Sequence, residues 1–227
     1  AMKTMSKPPP LDPDEPRRLA EAILDLKLRY IVITSVTRDD LSDGGSDHIA
    51  KCVKAIRERN PDIIIEALVP DFKADKAAID NVIEAEPDVV SHNIETVERL
   101  SPLIRDPKAG YRQSLEALRL YHERSLGRII TKSGIMAGLG EGPGEVEQSM
   151  EDLRAAGVEI LTIGQYLAPS KGPRHFQQAE YVTPERFKGY EALGYKHGFR
   201  YIASGPLVRS SYRAAEPFVK GLIRKQS

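Results

Sequence analysis

Polar side chains follow six short apolar segments of the sequence, and their chemistry is that of a site for a small polar ligand. Carboxylates and amides bind ammonium groups and sugar hydroxyls, and a lysine ammonium pairs with a carboxylate. A ring of these groups could therefore hold a zwitterionic molecule. The simpler interpretation is that polar residues merely end buried strands. The segments are Thr34–Asp40, Pro70–Asp71, His92–Thr96, Thr131–Gly134, Gly164–Tyr166 and Ala203–Pro206.

Each of these polar segments follows a short run of β-branched residues, and amphipathic stretches alternate with those runs along the chain. This alternation predicts repeated βαβ units and hence a parallel sheet with right-handed crossovers, whose carboxyl ends share one edge. The predicted strands are 30–35, 63–68, 89–92, 128–133, 160–165 and 201–203. The predicted helices are 17–27, 46–59, 74–84, 111–124 and 145–156.

The predicted fold is α/β, a partial (β/α) barrel of the TIM type. A doubly wound sheet is the alternative, but no G-x-G-x-x-G follows the first strand. The sequence opens with a proline-rich segment and a helix, where a complete barrel would begin with a strand, so we expect the first strand to be missing. We expect the barrel to span residues 1–204 and a separate C-terminal segment to span 205–227.

The charge balance argues against a dedicated nucleic-acid binder, since the 227 residues include 33 Lys and Arg and 33 Asp and Glu. No apolar run approaches the roughly 20 residues of a membrane span, which predicts a cytoplasmic protein without a membrane partner. Cys52 is the one cysteine. A disulfide or a cysteine-ligated iron–sulfur cluster therefore cannot be built from this chain alone.

Two further motifs are more typical of structural roles. The glycine-rich run Gly138–Glu145 could cradle phosphate, but its acidic residues favour a strand-to-helix turn. The five histidines have no metal-binding spacing, and His92, at a predicted strand end, could contact ligand or be structural.

Several segments, taken in order, resemble the lipoyl synthase family of radical S-adenosylmethionine enzymes. The resemblance covers nearly the whole chain, and the V-R-S-S-Y ending is its most specific part. The segments are Val32–Val36, Arg38–Gly45, His92–Val97, Thr131–Gly134, Leu139–Glu141, Leu161–Leu167, Tyr181–Glu185 and Ala203–Tyr212. The departures lie in two loops, at Gly142–Gly144 and Lys171–Phe176.

The resemblance implies two [4Fe–4S] clusters and S-adenosylmethionine as cofactors of the complete enzyme. One cluster cleaves S-adenosylmethionine to a radical that abstracts hydrogen from C6 and C8 of a protein-bound octanoyl-lysine, and the auxiliary cluster donates the two sulfur atoms. The family holds these clusters on C-x3-C-x2-C and C-x4-C-x5-C motifs, and neither motif is present here. We therefore expect this chain to be an inactive C-terminal portion of such an enzyme.

The resemblance also assigns residues to roles. The contacts to S-adenosylmethionine are expected from Asn93 and Glu95 to its amino or ribose groups, from Lys132 and Ser133 on its carboxylate side, and from Gln165 and Leu167 near the adenosyl group. The octanoyl-lysyl substrate is expected at Arg38, Asp40 and Arg209, which could instead be ion pairs that hold the rim loops. Ser210 matches the family's serine ligand to the auxiliary cluster.

The implied partners are an octanoylated carrier protein, either the glycine cleavage H protein or a 2-oxoacid dehydrogenase E2 lipoyl domain, and an electron donor such as ferredoxin or flavodoxin. In a eukaryote the implied location is the mitochondrion or plastid. Two alternatives remain open. The chain could be a cluster-free relative or scaffold that binds the lipoyl carrier protein without catalysis, or a cluster-free barrel enzyme acting on a phosphorylated small molecule.

Overall fold

A computed structural model describes residues 8–170, 176–210, 219 and 221 of the chain. Six parallel strands form one sheet, and each strand pairs with the next one along the sequence. The sheet is not closed, so β1 and β6 are its edges in the part of the chain described. The strands are β1 (Tyr30–Thr34), β2 (Ile64–Leu68), β3 (Val89–Ser91), β4 (Ile130–Ala137), β5 (Ile160–Gln165) and β6 (Tyr201–Gly205).

Helices connect the strands and cover one face of the sheet, which is the arrangement of a partial (β/α) barrel. A short 3₁₀ turn, Phe72–Ala74, precedes α3. The helices are α1 (Glu15–Asp25), α2 (Ser46–Arg59), α3 (Lys76–Ile83), α4 (Ser101–Ile104), α5 (Tyr111–Arg124), α6 (Pro143–Ala155) and α7 (Pro184–Lys196). The expected α/β class, the parallel sheet and the alternation of strands and helices are confirmed. None of the helices described is long and apolar enough to cross a membrane.

Strand β4 runs four residues beyond its predicted end. The prediction that Thr131–Gly134 closes a strand is therefore wrong, because Gly134 is paired inside the sheet with Thr162 and the strand continues to Ala137. Its lysine and serine lie in the body of the sheet rather than at the rim. Strand β6 likewise extends through Gly205, the first residue of the predicted C-terminal segment.

The two faces of the sheet have different cores. On the convex face, alternate strand residues such as Ile65, Val90 and Ile163 pack against the helices in two large apolar clusters. On the concave face, a smaller layer lies at the amino ends of the strands, and Val219 from the C-terminal region packs into it. The members of this layer are Tyr30, Ile64, Val89, Ile160 and Val219, with Val32, Ile130 and Tyr201 against them.

Glu145 caps the N-terminus of α6. Its carboxylate accepts a hydrogen bond from the backbone N–H of Gly142 at 2.8 Å and another from Arg99 Nε at 2.7 Å. The bond from Arg99, followed by the bond from Gly142, lowers the pKa of Glu145 to about 2. A carboxylate at this position also interacts favourably with the helix dipole.

We expect Glu145→Gln to reduce the free energy of unfolding by about 1 kcal/mol at pH 7, because the charged cap is lost. The pKa of Glu145 is lower in the folded chain than in the unfolded one. Its contribution is therefore complete above pH ~4.5 and disappears as the pH falls toward about 2. Urea denaturation from pH 7 to pH 2 checks this, with the exposed Glu151→Gln on the same helix as control. A difference independent of pH would contradict it.

Candidate functional site

A buried ion pair lies on the concave face of the sheet, directly above the apolar layer. Lys132 on β4 donates from Nζ to Glu66 Oε1 on β2 at 2.7 Å, and both side chains are completely buried. Two hydroxyls complete the carboxylate's shell, one from Ser91 at 2.9 Å and one from Tyr30 at 2.5 Å. Since every oxygen of Glu66 has a donor, the pair is a satisfied network.

Glu66 is a functional candidate that sequence reasoning missed. It lies inside the apolar run Ile63–Leu68, which predicts only a buried strand. A carboxylate in such a run needs a buried partner, and that requirement was the available signal. The partner is 66 positions further along the chain, so its identity could not be read from local spacing.

The loop after β3 presents two of the predicted ligand contacts, Asn93 and Glu95. Glu95 has a left-handed backbone conformation, with φ of +66°, and continues the parallel pairing onto β4 through backbone bonds to Gly134 and Met136. Ser133 Oγ accepts a hydrogen bond from Ile94 N–H at 3.3 Å. The loop is therefore attached to β4 at His92, Ile94 and Glu95, which fixes the backbone on both sides of Asn93.

The polar atoms of Asn93 and Glu95 have incomplete hydrogen bonding among the residues described. Asn93 Nδ2 donates to Glu95 Oε1 at 3.3 Å and to Ser210 Oγ at 2.9 Å, whereas Asn93 Oδ1 is buried without a partner. Burial raises the pKa of Glu95, and the bond from Asn93 opposes this rise. An unpaired carbonyl oxygen beside a partly buried carboxyl group is suited to bind an ammonium group or a pair of hydroxyls.

Gly134 allows the Asn93 side-chain amide to lie close to β4. A Cβ at Gly134 would lie 2.8 Å from Asn93 Oδ1 and 2.9 Å from Thr162 Oγ1. A larger residue would therefore displace the amide whose oxygen is unpaired.

The residues after β6 lie over the concave face. The carbonyl oxygen of Ser210 accepts a hydrogen bond from Lys132 Nζ at 2.7 Å, so the buried ion pair reaches this segment directly. Val208 lies against β5, because a Cβ at Gly164 would be only 2.2 Å from the Val208 carbonyl oxygen. We call residues 205–210 the closing segment. The rest of the R-S-S-Y motif, Ser211 and Tyr212, lies outside the residues described.

Gln165 and Leu167 lie at the end of β5. The Gln165 amide is committed to the backbone: Nε2 donates to the carbonyls of Ala137, Tyr166 and Glu180, and Oε1 accepts from Val182 N–H at 2.8 Å. Gln165 therefore attaches residues 180–182, which precede α7, to the end of β5. Leu167 is half exposed beyond it.

The predicted substrate residues lie on rim loops. Arg38 and Asp40 form a bidentate ion pair, with both N–O distances 2.7 Å, and Arg38 holds the pKa of Asp40 below its usual range. This pairing agrees with the alternative that Arg38 holds its own loop. Arg209 is exposed and donates to the Val208 carbonyl at 2.8 Å, with Gln165 O at 3.5 Å.

Two structural interpretations are confirmed. In the glycine-rich loop, the Glu141 carboxylate accepts the N–H groups of Gly138 and Leu139 at 2.6 and 2.8 Å, so the loop binds its own carboxylate. His92 is buried, and its ring nitrogens lie 2.9 Å from Val69 O and 2.8 Å from Ser114 Oγ.

Cys52 is buried within α2, and its thiol is unsuited to ligate a metal. Burial is the larger of two causes that raise its pKa to about 11, the charge of Glu15 being the other. A cluster ligand must be a thiolate, and thiolates form where the pKa is lowered.

Comparison with known proteins decides the family. Residues 2–153 match the model of the radical SAM superfamily. Over 220 residues, 97% of this chain, it is 56% identical to lipoyl synthase of Anaeromyxobacter sp. (strain Fw109-5), of which it covers 74%. The chain belongs to the lipoyl synthase family.

The second relative extends this match to a eukaryotic protein. The chain is 53% identical over 226 residues to mitochondrial lipoyl synthase of Branchiostoma floridae. All of this chain is matched, but it spans only 59% of the length of that relative. The expected lipoyl synthase family membership is thus confirmed from two distant sources.

The fold also agrees with a solved structure. The crystal structure of methylornithine synthase (PylB) superposes with a TM-score of 0.61 at 12% identity, covering 88% of this chain and 64% of that one. At this identity the likeness concerns the fold alone, and it supports the partial barrel described above.

Proposed function

We propose that this chain is the S-adenosylmethionine-binding and substrate-binding part of a lipoyl synthase, which inserts two sulfur atoms at C6 and C8 of a protein-bound octanoyl-lysine. The observation that carries the proposal is the buried Asn93 Oδ1, which has no partner among the residues described and lies beside the Glu95 carboxyl in a chain of this family. These groups lie beyond the carboxyl end of β3, where parallel barrels bind ligands.

The residues present fit S-adenosylmethionine. Asn93 Oδ1 and Glu95 accept hydrogen bonds from its ammonium or ribose hydroxyls, and Ser133 holds their loop in place. Lys132 is completely buried against Glu66, so it supports the site from below rather than meeting the carboxylate of S-adenosylmethionine. Gln165 fixes the chain near the adenosyl group, and Leu167 offers apolar surface there. When bound, S-adenosylmethionine supplies the radical chemistry, and the protein supplies position.

The residues present do not fit an iron–sulfur cluster held by cysteines, because the single thiol is buried in α2 with a raised pKa. The residues of this chain therefore supply binding and positioning rather than thiolate ligands to either [4Fe–4S] cluster that the family uses. Ser210 is the one residue assigned to the auxiliary cluster, and its hydroxyl accepts a hydrogen bond from Asn93.

The rim residues Arg38, Asp40 and Arg209 face the octanoyl-lysyl substrate in this proposal. Arg38 and Asp40 pair with each other, so the exposed charge of Arg209 would guide a carrier protein, the H protein or an E2 lipoyl domain, rather than the apolar chain itself. A ferredoxin or flavodoxin would supply electrons. The site of action is the bacterial cytoplasm, or the mitochondrion or plastid of a eukaryote.

Titration of the chain with S-adenosylmethionine in a calorimeter tests the ligand site. We expect Glu95→Gln to weaken binding at least about tenfold, because a hydrogen bond to a charged group is worth about 1.5–3 kcal/mol. Glu98→Gln is the matched control, since Glu98 is exposed nearby and pairs with Arg112. Absence of binding, or equal loss in both variants, would overturn this site.

A chimera tests the reaction. This chain replaces the matching region of the Anaeromyxobacter relative, which supplies the remaining quarter of the protein. We expect the reconstituted chimera to convert an octanoyl-lysyl peptide to its lipoyl form, seen by mass spectrometry as a gain of two sulfur atoms. A folded, cluster-loaded chimera that binds the carrier protein without sulfur insertion would favour the non-catalytic alternative.

A further inference from the structure

We propose that Lys132 and Asn93 are positioning residues that hold Ser210 over the concave face, and that Glu66 holds Lys132 in turn. The inference rests on the proposed function only for the role of Ser210 as a cluster ligand. The anchoring of the closing segment follows from contacts within this chain.

Lys132 Nζ donates a hydrogen bond to the backbone carbonyl of Ser210. A lysine side chain is normally flexible, and ordering it costs conformational entropy. Here Glu66 fixes the ammonium from one side, and Tyr30 and Ser91 fix Glu66, so the remaining N–H bond to Ser210 O starts from an ordered donor. A buried ammonium also makes a stronger bond to a carbonyl than a neutral donor does.

Asn93 binds the side chain of Ser210. Its Nδ2 donates to Ser210 Oγ at 2.9 Å, so one lone pair of the hydroxyl is occupied and its rotamer is defined. Asn93 belongs to the loop attached to β4 on both sides. One bond to the carbonyl and one to the hydroxyl together determine both where Ser210 lies and which way its oxygen points.

Apolar packing gives the closing segment little support of its own. Pro206, Leu207 and Arg209 are exposed, and Leu207 retains 87% of its accessible surface. A turn bond from Val208 N–H to Gly205 O is local and does not attach the segment to β3 or β4. Among the residues described, the two polar anchors at Ser210 attach the closing segment to β4 and to the loop after β3.

Limited trypsin digestion tests this anchoring. Because both the carbonyl and the hydroxyl of Ser210 are held, we expect the bond between Arg209 and Ser210 to enter the protease active site mainly when the segment detaches from the sheet. The test variant is Glu66→Gln/Lys132→Met, which removes the donor without leaving a buried charge unpaired. We expect cleavage after Arg209 to accelerate at least about tenfold, because cleavage follows the open population. Asn93→Ala is expected to accelerate it several-fold, and intact-mass spectrometry identifies the fragment.

The control variant is Thr162→Val, on the same concave face, where Thr162 donates to Ser133 O and has no bond to the closing segment. Cleavage after Arg128, in the exposed turn before β4, is the internal reference. Acceleration at Arg209 alone supports the proposal, whereas no acceleration, or equal acceleration at Arg128, overturns it. The assay needs neither cluster nor S-adenosylmethionine, so its failure is distinct from failure of the proposed function.

Discussion

Lys132→Met is expected to destabilise the chain by about 3–5 kcal/mol, because it leaves the Glu66 carboxylate buried without its counter-charge. Both side chains are fully buried, so water cannot compensate for the missing ammonium. The hydroxyls of Ser91 and Tyr30 remain as donors to Glu66, but neither carries a charge. A loss of this size is a large fraction of the 5–15 kcal/mol by which domains are usually stable.

A double-mutant cycle in urea at pH 7 checks this prediction. Glu66→Gln alone should be similarly costly, since it leaves Lys132 buried without its counter-ion. The double variant Glu66→Gln/Lys132→Met should recover most of the loss, because neutral side chains of similar volume replace the pair. If the two single losses simply add in the double variant, the ion pair is not the source of the effect.

Gly164→Ala is expected to displace the closing segment from its position against β5 on the concave face. The added Cβ would lie 2.2 Å from the carbonyl oxygen of Val208, and a backbone atom cannot move aside as a side-chain end can. We expect a loss of about 1–3 kcal/mol in the free energy of unfolding. We also expect faster tryptic cleavage after Arg209, since the backbone of Val208 must move away from β5.

Gly205→Ala is the matched control for this substitution. Gly205 is the register partner of Gly164 on the adjacent strand, and a Cβ there would meet only Val208 Cγ2, at 3.5 Å. This is an ordinary van der Waals distance, so stability and cleavage should remain close to those of the parent chain. Equal effects of the two substitutions would show that a general intolerance of alanine in β5 and β6, rather than the contact with Val208, is responsible.

Much of the architecture follows from periodicity in the sequence. Helices α2 and α5 and strand β5 have the predicted bounds, because their apolar residues repeat regularly and glycine, proline or polar loops flank them. Strand β4 extends further than predicted because Gly134 does not end it: the glycine is paired inside the sheet, where its lack of a Cβ leaves room for Asn93. Gly134 therefore indicates a close approach of Asn93 to the sheet rather than a turn at the end of the strand.

Helix α7 was not predicted, since its sequence contains two glycines and its buried side chains are aromatic rather than a regular aliphatic stripe. Phe187 and Tyr190 are buried in the apolar cluster between α7 and the sheet. At Gly194 a Cβ would overlap the Ile202 side chain, so a glycine lets the helix lie close to β6. Thr183 and Pro184 were available signals for its start, because Thr183 caps the helix and proline is favoured at the first helical position.

The site could be predicted only in part. Asn93 and Glu95 do lie beyond the carboxyl end of β3, as the strand-end argument requires, and family resemblance singled them out. Lys132 lies deeper than expected, because its charge needs Glu66, a residue that no local pattern connects to it. Tertiary pairing over 66 positions is not encoded in spacing, and this is why the network was missed.

The order of strands in the sheet has a consequence for how the chain reaches its native state. Since β1 to β6 pair strictly with their sequence neighbours, each βαβ unit can form as soon as it leaves the ribosome, and little of the sheet waits for distant partners. The closing segment is different, because its anchors belong to β4 and to the loop after β3, and Lys132 is ordered only once β2 has contributed Glu66. We therefore expect Ser210 to dock late in folding, and we expect its contacts to open before the rest of the sheet in the native protein.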